Sequence, residues 1–351
     1  MKKVQKLILE QFTAFGQRTE LEFSSGINVF IGANSTGKTH AMKAIYTMLK
    51  ICEKARRDSD GKSNGISTKR LEVLAQDKFE GVFKPDTIGR LVRHGRGNRF
   101  GKIEIMYEGK SADVKITSQS NVYFSSEILP QPVPSVFLPV HEFLSAYKGF
   151  IAAYESRETS FDETYYDLAI ALNASPLLGK KQEEIKNLVE PLKKAIQGAQ
   201  VTNENGKFYI KLPEAKLEAS LVAEGYRKLA GLIYLLNNGS LTQNGILFWD
   251  EPEANLNPRL VTTIVSVLKT LANSGVQIFV SRHDYLLSQE LSLLAEYKTT
   301  DVKMQFFSFY QPKRKEAVKV EKAATLAEME NNPILEEFAA YYDRESNLFN
   351  K

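Results

Sequence analysis

Apolar and polar positions alternate with two different periods along the chain. Residues 4–12, 18–23 and 27–31 read as three short strands divided by turns. The third, Ile27-Asn28-Val29-Phe30-Ile31, is apolar enough to be buried on both faces. Helical spacing follows over 40–50. Residues 53–70 are polar, carry Lys54, Arg56, Arg57 and Lys62 together with Gly61 and Gly65, and read as a mobile exposed loop. Alternation at 102–108 and 112–118 predicts a hairpin, and 135–139 a buried strand. Residues 141–200 read as helices, with an amphipathic face over 183–196, and 208–212 as a strand after an Asn-Glu-Asn-Gly turn. From 225 the pattern becomes regular: helix 225–236, strand 245–249, helix 259–273, strand 276–280, helix 285–295. Such alternation predicts a parallel, doubly wound sheet. Residues 302–310 and 316–321 would close it, with a last helix near 334–343. There is no internal repeat and no low-complexity tract.

Composition narrows the class without naming a function. At 351 residues, 43% apolar and 25% charged, the chain is expected to be soluble and globular, with one large domain or two ordinary ones. A net charge of +4 permits nucleic-acid binding but does not demand it. Cys52 is the only cysteine, which excludes a disulfide framework and fits a reducing cytoplasm. No apolar run is long enough to span a membrane, and residues 1–15 lack the apolar core of a signal peptide.

The most specific chemistry lies at Gly32-Ala33-Asn34-Ser35-Thr36-Gly37-Lys38-Thr39, a complete G-x-x-x-x-G-K-[ST] loop between an apolar strand and a helix. Glycines let the backbone wrap tightly so that several N–H groups point at phosphate. The following helix adds its partial positive charge. Lys38 would reach the β- and γ-phosphates, Thr39 would hold Mg²⁺, and His40 lies just beyond. A second motif, Ile246-Leu247-Phe248-Trp249-Asp250-Glu251, is an apolar strand ending in two acids. Asp250 would hold Mg²⁺ and Glu251 would polarise water as general base. His283 directly follows the apolar run 276–280, in position to contact a γ-phosphate, with Asp284 placed to cap the next helix. Phe12 and Phe15 could flank adenine, although core packing is the simpler reading. The basic stretch 89–102 is a candidate surface for nucleic acid or a plain solvated face.

The order of these motifs resembles the ABC-type ATPase superfamily, and within it the branch of SMC, RecF and OLD-type ATPases. The resemblance rests on the P-loop, on Ala223-Glu224-Gly225-Tyr226-Arg227-Lys228 at a helix start, on Asp250-Glu251-Pro252, on Asn255-Leu256-Asn257-Pro258 and on His283. It implies an α/β fold: a P-loop head with a mostly parallel core sheet, an N-terminal antiparallel β-layer and an inserted helical lobe. Lobe boundaries of 1–140, 141–222 and 223–351 follow from it. It also implies ATP with Mg²⁺, hydrolysis using Glu251, His283 and Lys38, and a homodimer or higher oligomer through the ATP sites. In that assembly Ala223, Glu224, Gly225, Arg227 and Lys228 would act in trans. Relatives have serine where Ala223 stands; backbone N–H groups and the helix N-terminus could still bind the phosphate, and Arg227 or Lys228 could compensate. The Q-loop position falls at His141 or Glu142, without the usual glutamine. Segment 141–222 is too short for a long coiled coil, and the stretch after 295 is too short for a nuclease module. A compact head of this kind resembles the ATPases of bacterial anti-phage defence, which control a separate effector. A RecF-like DNA-repair ATPase is the alternative, and a transporter subunit a third class. The missing Ser-Gly-Gly and the Asn-Leu-Asn-Pro segment speak against the transporter.

Overall fold

The computed structural model describes residues 3–58, 66–126, 133–283, 285–313 and 316–349. The chain opens with β1 (Val4–Glu10), β2 (Thr19–Glu22) and β3 (Ile27–Gly32), then α1 (Lys38–Asp58) and α2 (Thr68–Phe83). Next come β4 (Phe100–Tyr107), β5 (Lys110–Thr117), β6 (Val122–Ser126) and β7 (Ser135–Leu138). Helices α3 (Phe150–Glu155), α4 (Glu163–Leu172) and α5 (Lys180–Ala195) follow, and then β8 (Gln200–Glu204), β9 (Lys207–Lys211) and β10 (Lys216–Glu218). The last part runs α6 (Glu224–Asn237), β11 (Ile246–Asp250), α7 (Val261–Asn273), β12 (Gln277–Arg282), α8 (Tyr285–Glu296), β13 (Met304–Tyr310), β14 (Lys319–Ala323) and α9 (Pro333–Phe349).

The central sheet has the order β14-β13-β3-β12-β11-β7. Every neighbouring pair in it is parallel except β13–β14. Strands from residues 1–140 and from 223–351 therefore share one sheet. β3, β7, β11 and β12 are buried at every position because both faces are covered there. Phe30, Phe248, Phe279 and Phe307 point into a core with α1, α2 and the antiparallel sheet β2-β1-β4-β5-β6. Val29, Leu247, Trp249, Ile278 and Val280 point the other way, against the helices of the C-terminal part and of segment 141–222. Gln277, fully buried, links the two sheets: it accepts from the Val4 N–H at 2.8 Å and donates to the Val4 and Ser24 carbonyls.

Three local expectations are corrected. Residues 53–58 continue α1, because Ile51, Cys52 and Ala55 are buried while the basic residues between them face out. Residues 68–83 form α2, capped by the Ser67 hydroxyl, with Leu71, Leu74, Ala75, Phe79 and Val82 on its buried stripe. The rest of that expected loop, 59–65, lies outside the described residues. Segment 141–222 carries helices and also the antiparallel sheet β10-β9-β8. Phe12 and Phe15 are fully buried: Phe12 packs edge-on against Phe79 and Phe83, and Phe15 against Phe309. Core packing is their role here.

Segment 141–222 is tied to the first helices by charge. Lys43 of α1 meets Asp162 at 2.6 Å, and Lys78 of α2 meets Glu163 at 2.8 Å and Asp167 at 2.6 Å. The Tyr46 hydroxyl donates to Asp167 at 2.7 Å. Burial alone would lower the Lys78 pKa, but Asp167 and Glu163 outweigh it and hold the ammonium above its ordinary value. Lys78→Met should leave two carboxylates uncompensated and cost about 2–3 kcal/mol, a partly exposed version of breaking a buried pair. The check is the urea midpoint, which an indifferent network would leave unchanged.

Candidate active site

The site forms where the carboxyl ends of β3, β11 and β12 lie side by side. Register places Asp250 opposite Ser281 and Arg282 opposite Ile31. Open α/β sheets bind ligands outside these strand ends. β3 runs directly into the Gly-rich loop, and α1 starts at Lys38, so the first N–H groups of α1 have no intrahelical partner. Gly32 has φ +149°, and a Cβ there would lie 2.3 Å from the Phe309 carbonyl oxygen. Only glycine fits that turn. Ser35 sits in the left-handed region at φ +64°, and the Thr36 hydroxyl donates to the Ala33 carbonyl at 2.8 Å, closing the loop on itself.

Lys38 is 4% exposed and donates to the Gly32 and Ala33 carbonyls, each at 2.8 Å. Burial pulls its pKa down to about 8, against the pull of Glu251, Asp250 and Glu253. The Thr39 hydroxyl donates to the two Asp250 carboxylate oxygens at 3.0 and 3.1 Å, and the Ser281 hydroxyl also donates to Asp250. Burial raises the Asp250 pKa, while the Ser281 and Thr39 hydrogen bonds oppose that rise. A buried carboxylate beside a threonine hydroxyl is the donor set that Mg²⁺ takes, with water and phosphate oxygens completing the shell. The residues present therefore fit the ion.

Glu251 and His283 meet at 2.7 Å, Oε1 to Nε2, while His283 Nδ1 lies 3.4 Å from the Lys38 ammonium. Nδ1 must accept from the ammonium, so these partners assign the ring proton to Nε2. Burial and then Lys38 lower the His283 pKa, which keeps the ring neutral. Glu251 adopts φ +47°, and its N–H donates to the Ser281 carbonyl at 3.0 Å. The left-handed turn carries the chain out of β11 with the carboxylate aimed at His283.

The structure thus brings together Lys38, Thr39, Asp250, Glu251 and His283. His40 stays on α1 with its ring 5.6 Å from Phe83. The signature-like residues lie elsewhere in their own chain. Ala223 precedes α6 without a side-chain cap. A Cβ on Gly225 would lie 2.7 Å from Leu256 and 2.8 Å from Leu260, so the glycine allows close approach of the Asn-Leu-Asn-Pro segment. Glu224 accepts from Asn255 at 3.3 Å. Lys228 donates to the Ala254 carbonyl at 2.7 Å, and Arg227 pairs with Glu142 at 2.6 Å. Both cations on which compensation for Ala223 would depend are held within the chain. Glu142 is bound to Arg227, and His141 is exposed. Asp284 lies outside the described residues.

Sequence reasoning missed two participants. Ser281 binds Asp250, and Glu253 accepts the His283 backbone N–H at 3.3 Å while lying 3.8 Å from the buried Arg282. The available signal was the polar pair Ser281-Arg282 ending an apolar strand.

A family model described as "AAA domain, putative AbiEii toxin, Type IV TA system" matches residues 124–288. The DNA replication and repair protein RecF of Listeria monocytogenes serotype 4b (strain CLIP80459) is 27% identical over 146 residues. That match spans 42% of this chain and 34% of the relative, and the protein of the same name from serovar 1/2a matches equally. The chain thus spans about a third of the length of these curated relatives. Among solved structures, an Smc head bound to the C-winged helix domain of ScpA has a TM-score of 0.54 at 14% identity, covering 92% of this chain and 98% of that one. The Smc head with an extended coiled coil, bound to the C-terminal domain of ScpA derived from Pyrococcus furiosus, has a TM-score of 0.54 at 15% identity, covering 97% and 100%. The fold is that of these heads.

Proposed function

We propose that this chain, an SMC/RecF-like P-loop ATPase, binds ATP with Mg²⁺ across Gly32–Thr39 and hydrolyses it between paired heads as a conformational switch. One observation carries the reading: Lys38, His283 and Glu251 form a hydrogen-bonded row beside the Thr39–Asp250 pair. Lys38 would neutralise the terminal phosphates. Glu251 would accept the proton of the attacking water, and the one ring N–H of His283, held by Glu251 in the free protein, would turn to the γ-phosphate. Mg²⁺ held by Thr39 and Asp250 would add positive charge at the β- and γ-oxygens.

Pairing is supported by the surface next to the signature-like segment. Leu221, two residues before Ala223, is 73% exposed, and burying a leucine side chain there against a second head would contribute about 1.5–3 kcal/mol to pairing. Specific ATPase activity should then rise with protein concentration. Leu221→Glu should flatten that rise and lower activity by about tenfold, as loss of an apolar contact at an interface does. Turnover per chain that ignores concentration in the wild type would exclude a shared site.

For the output of the switch we infer control of a separate effector in anti-phage defence; what supports the defence part is the matching family description, which names a putative toxin of a type IV toxin–antitoxin system. The RecF match favours a second reading, a DNA-repair ATPase. ATP turnover with and without duplex DNA separates the two: the switch reading expects indifference to DNA, and the repair reading expects stimulation.

A further inference from the structure

α9 spans 17 residues, none of them buried, and each residue from Tyr341 to Phe349 is exposed, a stretch of about 13 Å at 1.5 Å per residue. Its root is anchored: Phe338 packs on Tyr285 with ring centroids 4.3 Å apart, and the Asn332 side chain caps its first turn. Beyond the root stand Tyr341, Tyr342, Leu348 and Phe349, exposed by 52, 64, 72 and 91%. A helical end with no buried residue draws little stability from packing, and an apolar stripe on it marks a contact surface.

Charge identifies what covers it. α9 holds four acids, Glu336, Glu337, Asp343 and Glu345, against the one arginine Arg344. The chain offers the complementary surface on the segment that leads into β4. Residues 89–102 contain five cations and no acid. Among them Arg90 and Arg96 are exposed. The segment runs into Phe100 at the start of β4, 48% exposed with the Lys115 ammonium 5.9 Å from its ring centroid, and Tyr123, 52% exposed, pairs in register with Lys115. Acid and aromatic on one side meet base and aromatic on the other, a pairing in which arginine stacks on tyrosine as well as attracting carboxylate.

We infer that α9 of one copy docks on the basic face around Arg90, Arg96 and Phe100 of a second copy, without nucleotide. The contact joins two different surfaces, so it builds rings or open rows of heads rather than closed two-fold dimers. It is separate from any pairing at the ATP site.

Sedimentation velocity of the full chain without ATP tests this, and its result does not depend on the reading of the P-loop. The wild type should associate with rising concentration and dissociate with rising salt. Glu336→Lys with Glu337→Lys and Asp343→Lys should raise the midpoint concentration about tenfold or more, as should Arg90→Glu with Arg96→Glu. All five positions are exposed, so the folded state should survive, which circular dichroism checks. Combining both sets reverses both charges and should restore association toward the wild type. A wild type that stays monomeric at every concentration overturns the proposal, as does a combined variant no better than either parent. Association that persists in a chain truncated after Asn332 overturns it too and gives the basic face to another occupant, such as nucleic acid.

Discussion

Lys38→Ala should weaken ATP binding by about a thousandfold, roughly 4 kcal/mol. The ammonium is almost fully enclosed by the loop it serves and donates to two of its carbonyls, Gly32 and Ala33. Those carbonyls gain nothing from a phosphate, so on the proposed reading Lys38 would be the group that turns a ring of backbone oxygen and N–H dipoles into an anion site for ATP. Burial, which lowers its pKa to about 8 in the free protein, makes the charge more effective once phosphate arrives, because the local dielectric is low. A pH dependence with a definite sign follows. Below pH 8 the ammonium is charged and ready; above it, the free protein loses the proton that the bound triphosphate wants back. Affinity should therefore fall as pH rises through about 8, and binding at pH 8–9 should take up protons, seen by calorimetry as a heat that changes with the buffer's ionisation enthalpy. In Lys38→Ala both the affinity and the buffer-dependent heat should disappear. Unchanged affinity in the variant would remove the phosphate-binding assignment.

Much of this arrangement is legible before any coordinates. The alternation from 225 to 295 predicts parallel strands because strands covered on both faces must be apolar throughout, and β11 and β12 are buried at every position. The strand-loop-helix context of Gly32–Thr39 and the acid pair after Trp249 locate the strand ends where ligands bind. Less legible is whatever depends on pairing between segments distant in sequence. α2 was hidden because its stripe includes Lys78, which reads as solvent-facing until Glu163 and Asp167 are seen beside it, 85 and 89 residues away. The basic residues of 54–57 suggested a loop, although they only decorate one face of α1. Arg227 and Glu142 illustrate the same limit at the site. Arg227 reads as a phosphate contact and Glu142 as a Q-loop position, and together they neutralise one another within a single chain. Charge sign is written in the sequence; charge partners are written in the fold.

Glu251→Gln should lower kcat by about 100- to 1,000-fold while leaving ATP affinity within a few fold. The substitution is isosteric and keeps an oxygen able to accept from His283 Nε2, so the row from Lys38 to position 251 can persist. What it removes is the site for the water proton. The backbone argues for the same residue: Glu251 occupies a left-handed conformation that glycine would hold more easily, and the chain keeps a carboxylate there, aimed at His283. Glu253, two residues on, is the internal control. Its side chain holds the His283 backbone N–H and lies near Arg282, so Glu253→Gln should shift thermal stability more than chemistry. If heads pair on ATP, a Glu251→Gln chain bound to ATP should remain paired for as long as hydrolysis is blocked, and mass measurement with and without ATP would show it. Single-turnover quench-flow separates the chemical step from product release. A chemical step in Glu251→Gln as fast as in the wild type would exclude Glu251 as the base. The proton would then have to pass to His283, whose lowered pKa makes it a poor acceptor beside the Lys38 ammonium.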